Sequence, residues 1–161
     1  MTLDDKKLLT EHWVRIANMD FEACRRLLES DSSILWEPVL FHVQQAVEKW
    51  LTALCIWNEA DFDFSHSIKY LTDTLVPYYP DLSSEENYKT AHMLAYYEED
   101  SIFGFVSNEQ VAKDINKALQ VLNYFSAFTK EKLGAGVWTD KYTKLKSSEV
   151  PATAELVFVK H

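Results

Sequence analysis

Trp36–Trp57 reads WEPVLFHVQQAVEKWLTALCIW, and this stretch decides the fold. Trp36, Leu40, Val43, Val47, Trp50, Leu54 and Trp57 recur at steps of three and four residues, the spacing of one side of an α-helix. The other side carries Phe41, Ala46, Ala53 and Ile56 beside His42, Gln45 and Lys49. A helix lying on a surface needs one apolar stripe; a helix that is apolar nearly all round needs neighbours on several sides. The stretch is therefore expected at the centre of a bundle.

Upstream, a helix is expected over about residues 3–29. Leu9, Trp13, Ile16, Ala17, Cys24, Leu27 and Leu28 form its stripe, and Thr2 with Asp4 and Asp5 gives an acidic start that suits the helix dipole. Asp20 falls on that apolar stripe. A carboxylate on an inner face needs a partner or a shifted pKa, so Asp20 reads either as a structural pair with the central helix or as a site residue. Residues 30–33 (SDSS) are a polar break, and Pro38 is tolerated in the first turn that follows.

Downstream, residues 58–65 (NEADFDFS) form a loop. Its alternating Glu59, Asp61 and Asp63 lack the glycine and later glutamate of a calcium-binding loop. A short helix is expected over residues 67–76, stopped by Pro77 and Pro80. Ser83 or Ser84 opens a fourth helix running to about Glu98, with Met93, Leu94 and Tyr97 inward. Asn108 is read as the cap of a fifth helix reaching about Leu133, ended by Gly134 and Gly136. These expectations add up to an all-α, antiparallel up-and-down bundle of four to five helices over residues 1–133. Residues 134–161 are a C-terminal tail, extended or partly ordered; 155–159 have strand character with no partner strand in sight.

The bulk numbers agree with one domain. A chain of 161 residues buries a core without disulfides or metal, and 3 glycines with 4 prolines favour long helices over a turn-rich fold. Net charge is −9, made of −10 over residues 1–133 and +1 over the tail. Such a body repels phosphate backbones at long range, which argues against non-specific nucleic-acid binding and leaves room for a local basic pocket. Cys24 and Cys55 have no CxxC spacing and read as small buried hydrophobes. The five histidines show no i,i+4 pairing, so neither metal nor cofactor is expected. The opening MTLDDKKLL has no apolar signal region and no long apolar run follows, so the cytoplasm is expected and a membrane is not.

The central helix carries Phe41-His42-Val43-Gln44-Gln45-Ala46-Val47-Glu48-Lys49-Trp50-Leu51-Thr52-Ala53. It resembles the F-H-x-Q-Q-A-x-E-K-x-L-x-A signature of the HEPN family, named for nucleotide binding in higher eukaryotes and prokaryotes. Trp13, Ala17, Asp20 and Ala23 match the upstream pattern of that family, and Ser65-His66 with Leu71 and Leu75 match its short third helix. The resemblance covers about residues 8–130. It implies an antiparallel four- or five-helix bundle that commonly pairs into dimers. It further implies one of three roles: a metal-independent ribonuclease carrying R-x4-6-H, a partner of a minimal nucleotidyltransferase in a toxin–antitoxin-like setting, or a nucleotide-binding module. Arg15, Arg25 and Arg26 all lie on the first helix with no histidine at the required distance, and residues 100–105 (DSIFGF) lack the Arg-Tyr-Pro turn of many members. Both departures count against RNA cleavage, which needs a proton-transfer group and a cation on the phosphate.

His42, Gln45 and Lys49 fall at i, i+3 and i+7, one above another on the helix, with Glu48 at the border. Such a face suits a base edge and a phosphate; it equally suits packing against the first helix with Lys49 on Asp20, or a dimer seam. The expected reading is a non-catalytic binding module, a homodimer with a nucleotide or a nucleotidyltransferase-like protein as partner. Its ligand residues are His42, Gln45, Lys49 and His66, with Asp20 orienting Lys49, and no catalytic residue is assigned. The alternative is a divergent metal-independent ribonuclease using His42 or His66.

Overall fold

Trp36–Trp57 is a single helix, α2, and every other helix among the described residues packs against it. The computed structural model describes residues 1–64, 67–98 and 106–138. The elements are α1 (Leu3–Glu29), α2, α3 (Ile68–Leu75), α4 (Glu85–Ala95) and α5 (Asn108–Leu133), with short 3-10 turns at Ser33–Leu35 and Pro80–Leu82. The architecture is the expected all-α bundle. Of the tail expected over residues 134–161, residues 139–161, the strand-like 155–159 included, lie outside the described residues, and so do Ser65, His66 and residues 99–105.

Contacts between α1 and α2 run in opposite directions along the two helices. Cys24 lies against Val39, Asp20 against His42, Asn18 against Trp50, and Lys6 over the Trp57 ring. The falling numbers on one helix and rising numbers on the other define an antiparallel hairpin. Along its second half α2 is buried without interruption from Trp50 to Ile56. That continuous burial is the consequence of its all-round apolar sequence. Trp50, Phe21 and Phe125, from three different helices, are the largest side chains wholly enclosed.

Local signals set the ends. Thr2, Ser67 and Ser84 cap α1, α3 and α4 by accepting the backbone N–H three residues on. Ser107, not Asn108, caps α5: its Oγ accepts the Gln110 N–H at 3.1 Å, so Asn108 is already the first helical residue. α4 ends at Ala95, three residues short of the expected 98. Tyr97 N–H turns back to the Leu94 carbonyl, and the Tyr97 side chain is pulled into the core. Of the expected inward residues of α4, Leu94 and Tyr97 are buried and Met93 is half-buried.

The end of α2 is a Schellman motif. Glu59 takes φ 50°, its N–H reaches the Ile56 carbonyl at 3.0 Å, and the Ala60 N–H reaches Cys55 at 2.9 Å. Gly134 closes α5 with φ 75°. Among the described residues no helix is long and apolar enough to cross a membrane, and no group of three His, Cys, Asp or Glu side chains is placed to hold a metal ion.

Candidate functional site

The antiparallel pairing of α1 and α2 puts one carboxylate between two residues seven apart. Asp20 Oδ1 lies 2.8 Å from His42 Nδ1, and Asp20 Oδ2 lies 2.5 Å from Lys49 Nζ. Seven residues are two helical turns, so His42 and Lys49 share one face of α2 and lean towards the same point on α1. The Asp20 side chain is 11% exposed, while those of His42 and Lys49 are 28% and 25% exposed. The anion is thus set inside and its two partners form the surface.

This geometry fixes protons as well as positions. Facing a carboxylate, His42 Nδ1 carries the hydrogen and donates it. Nε2 has no further partner among the described residues. The Phe41 ring stands edge-on to the imidazole at 5.2 Å. Asp20 and Lys49 form an ion pair, so the one lysine charge of the face is met by a carboxylate. An arrangement of that kind orders polar groups but does not concentrate phosphate.

Gln45 adjoins this cluster without joining it. Its Nε2 donates to Gln44 Oε1 at 2.7 Å, and Gln44 Nε2 donates to Glu48 Oε2 at 2.7 Å. The fully buried Gln44 is therefore the middle of a relay that holds the Gln45 amide in one orientation. The structure brings Asp20, His42 and Lys49 together, places Gln45 beside them, and leaves His66 outside the described residues. Glu48, read from sequence as a mere border, takes part in the relay.

The three arginines are committed elsewhere on α1. Arg25 and Arg26 both pair with Glu22, at 3.0 and 3.1 Å, and Arg15 Nη2 lies 3.2 Å from His12 Nδ1 on the exposed side. None is bonded to His42 or Asp20.

Two polar arrangements were missed in the sequence. Trp50 Nε1 donates to Asn18 Oδ1 at 3.1 Å in the core. Asp114 accepts from Tyr97 Oη at 2.6 Å and from Gln110 Nε2 at 3.0 Å. Burial, reinforced by the Asp114 carboxylate, pushes the Tyr97 phenol well above its ordinary value. Asp114 carries the same signal as Asp20, an acid on an apolar stripe between Val111 and Ala118, and that signal was available. Burial also raises the Cys24 thiol and pushes that of Cys55 up to about 12, which makes both unreactive.

A family model described as the HEPN domain matches residues 10–132, from the first turns of α1 to the end of α5. No curated protein and no solved structure matches the chain.

Proposed function

This chain belongs to the HEPN domain family, and we propose that it acts within that family as a non-catalytic binding module for a nucleotide or for a nucleotidyltransferase-like partner, in a toxin–antitoxin-like setting. The observation that carries this reading is the double engagement of Asp20 by His42 and Lys49. A phosphodiester-cleaving site needs an unneutralised cation where charge develops. Here the one lysine of the face is spent on a carboxylate, Arg25 and Arg26 pair with Glu22, and Arg15 lies away from the face, beside His12 on the exposed side of α1. What the face retains is recognition chemistry. His42 Nε2 accepts a ligand N–H or O–H, the fixed Gln45 amide offers both a donor and an acceptor, and Lys49 keeps N–H groups beyond the one given to Asp20. His66, two residues after Phe64, completes the set in this reading.

The partner surface belongs to α1. Leu8 and Met19 are exposed on it, and Trp13 and Leu27 are only partly buried against the core. This incompletely covered apolar strip supports pairing with a second copy of the chain.

The test is a thermal-shift screen against ATP, GTP, the other nucleotides and a short RNA, with and without Mg²⁺. A ligand at about 100 times its Kd stabilises the folded state by about 2.7 kcal/mol. The expected outcome is a rise in Tm with one nucleotide that is lost in Gln45→Ala, a substitution that leaves the Asp20 pairs intact. No shift with any nucleotide turns the reading towards a protein partner alone. The second reading, a divergent ribonuclease, is favoured by one observation: a carboxylate-oriented imidazole is how a general base is held. Cleavage of the RNA that disappears in His42→Ala would establish it and overturn the non-catalytic reading.

A further inference from the structure

Between α4 and α5 lies a cavity of about 930 Å³, and none of its lining residues comes from α1 or α2. It is therefore separate from the Asp20 cluster. Its volume lies within the range of small-molecule sites, roughly 300–1,000 Å³. Val121, Tyr124, Phe125 and Trp138 supply its apolar wall.

Two features of that wall are incomplete as they stand. Tyr124 is 43% exposed, stacks at 6.0 Å on Phe128 and stands edge-on to Phe125. Part of its ring surface is thus covered and part is open to the cavity. Trp138 is only 7% exposed, packs against Trp50 with centroids 6.1 Å apart, and its Nε1–H has no hydrogen-bond partner. Trp50, by contrast, gives its N–H to Asn18. Asn123, on the same wall, has a buried Oδ1 with no donor. A buried polar group without a partner costs about 1–3 kcal/mol, and most are paired. An orphan donor and an orphan acceptor on one cavity wall, beside an open aromatic ring, are complementary to a flat molecule with a carbonyl next to a ring N–H. Of the charged lining residues, Lys117 pairs with Glu86, and Lys130 is also engaged.

We propose that this cavity binds a planar, uncharged cyclic amide: its ring lies on Tyr124, its carbonyl accepts the Trp138 Nε1–H, and its ring N–H donates to Asn123 Oδ1. Both orphan atoms are buried, so binding requires the two side chains to rotate and bring them to the cavity. The site does not depend on the reading of the Asp20 face.

The probe is quinolin-2(1H)-one, with its N-methyl derivative as the form that keeps the ring and the carbonyl but loses the donor. The indole N–H signals of the 15N-labelled chain are followed during titration, Trp138 being assigned through Trp138→Phe. The expected result is a saturable shift of the Trp138 indole signal. The N-methyl compound binds about tenfold more weakly, the loss of one hydrogen bond. Asn123→Leu removes that tenfold preference, and Val121→Trp, which fills the cavity, abolishes binding of both. Dispersed backbone spectra of each variant show that it is folded; Asn123→Leu, at a partly exposed position, carries the test if Val121→Trp does not fold. No shift of the Trp138 signal up to the solubility limit overturns the proposal. So does equal binding of the two compounds, or a cavity kept closed to both by protein from this chain or from a second copy.

Discussion

Asp20 and Asp114 are acids on apolar stripes, and the bundle treats them differently. Asp20 meets an imidazole and a lysine ammonium near the surface, and Asp114 meets a phenol and an amide in the interior. The first arrangement is open to a ligand and the second is closed. Its closure has a consequence for pH. The Tyr97 phenol is raised above its ordinary value of 10.0 in the fold, by burial first and the Asp114 hydrogen bond next. Below pH 10 both folded and unfolded states hold the proton and the contribution is fully present. As pH rises above 10 the unfolded phenol ionises and the folded one does not, so stability is lost. One such proton is worth up to about 1.4 kcal/mol per pH unit. Urea unfolding at pH 7, 9 and 11 should show Tyr97→Phe weaker than the parent by about 1–3 kcal/mol at pH 7. The variant should then lose less than the parent between pH 9 and 11; an identical loss would show that Tyr97 does not titrate in this way. The pairing of Asp20 with Lys49 was legible because both residues interrupt otherwise apolar surfaces at matching heights. The Trp50–Asn18 bond was not, because nothing in the pattern distinguishes an asparagine that points inward from one that points out.

At the scale of the element, the helix that organises the chain was readable to the residue. Trp36–Trp57 begins and ends where its tryptophans do. Its apolar periodicity changes abruptly at Asn58, where the Schellman motif reverses the chain. That motif is built on a residue ill suited to it. Glu59 sits at φ 50°, where a Cβ costs about 1–2 kcal/mol relative to glycine. Its carboxylate contributes only a long, exposed contact with Lys6 at 3.8 Å, which is worth little. Glu59→Gly is therefore expected to stabilise the bundle by about 0.5–1 kcal/mol, read as a rise in the urea midpoint at unchanged slope. A fall would place the value of Glu59 in its side chain. The boundaries that sequence reading missed, Ser107 for Asn108 and Ala95 for Glu98, are cases where two capping residues adjoin or where a tertiary contact, that of Tyr97, overrides helix propensity.

For the molecule as a whole, periodicity and the HEPN signature were enough to specify the bundle, because α2 leaves few ways to cover itself. The α4–α5 cavity was not legible. Its lining brings together residues of α4, α5 and Trp138, and no residue pattern encodes how far apart they are held. Whether the apolar strip on α1 is a seam is a question of mass. Light scattering on the eluting peak should give twice the 18.7 kDa of one chain. Met19→Glu, which buries a charge in any α1 seam and touches nothing in the core, should halve it. A parent that elutes at the mass of one chain would remove pairing through α1 from the proposed function.

The central place of α2 also has a bearing on synthesis. Residue 57 leaves the ribosome well before residue 133, the end of the last described helix that packs on α2. At 5–20 residues per second the interval is roughly 4–15 s. At its start, the most apolar of the described helices has α1, made just before it, as its first cover, and α3 and α4 follow. The α1–α2 hairpin and its Asp20 clasp are then the first part of the bundle that can assemble, and they shield from premature association the helix around which the remainder condenses.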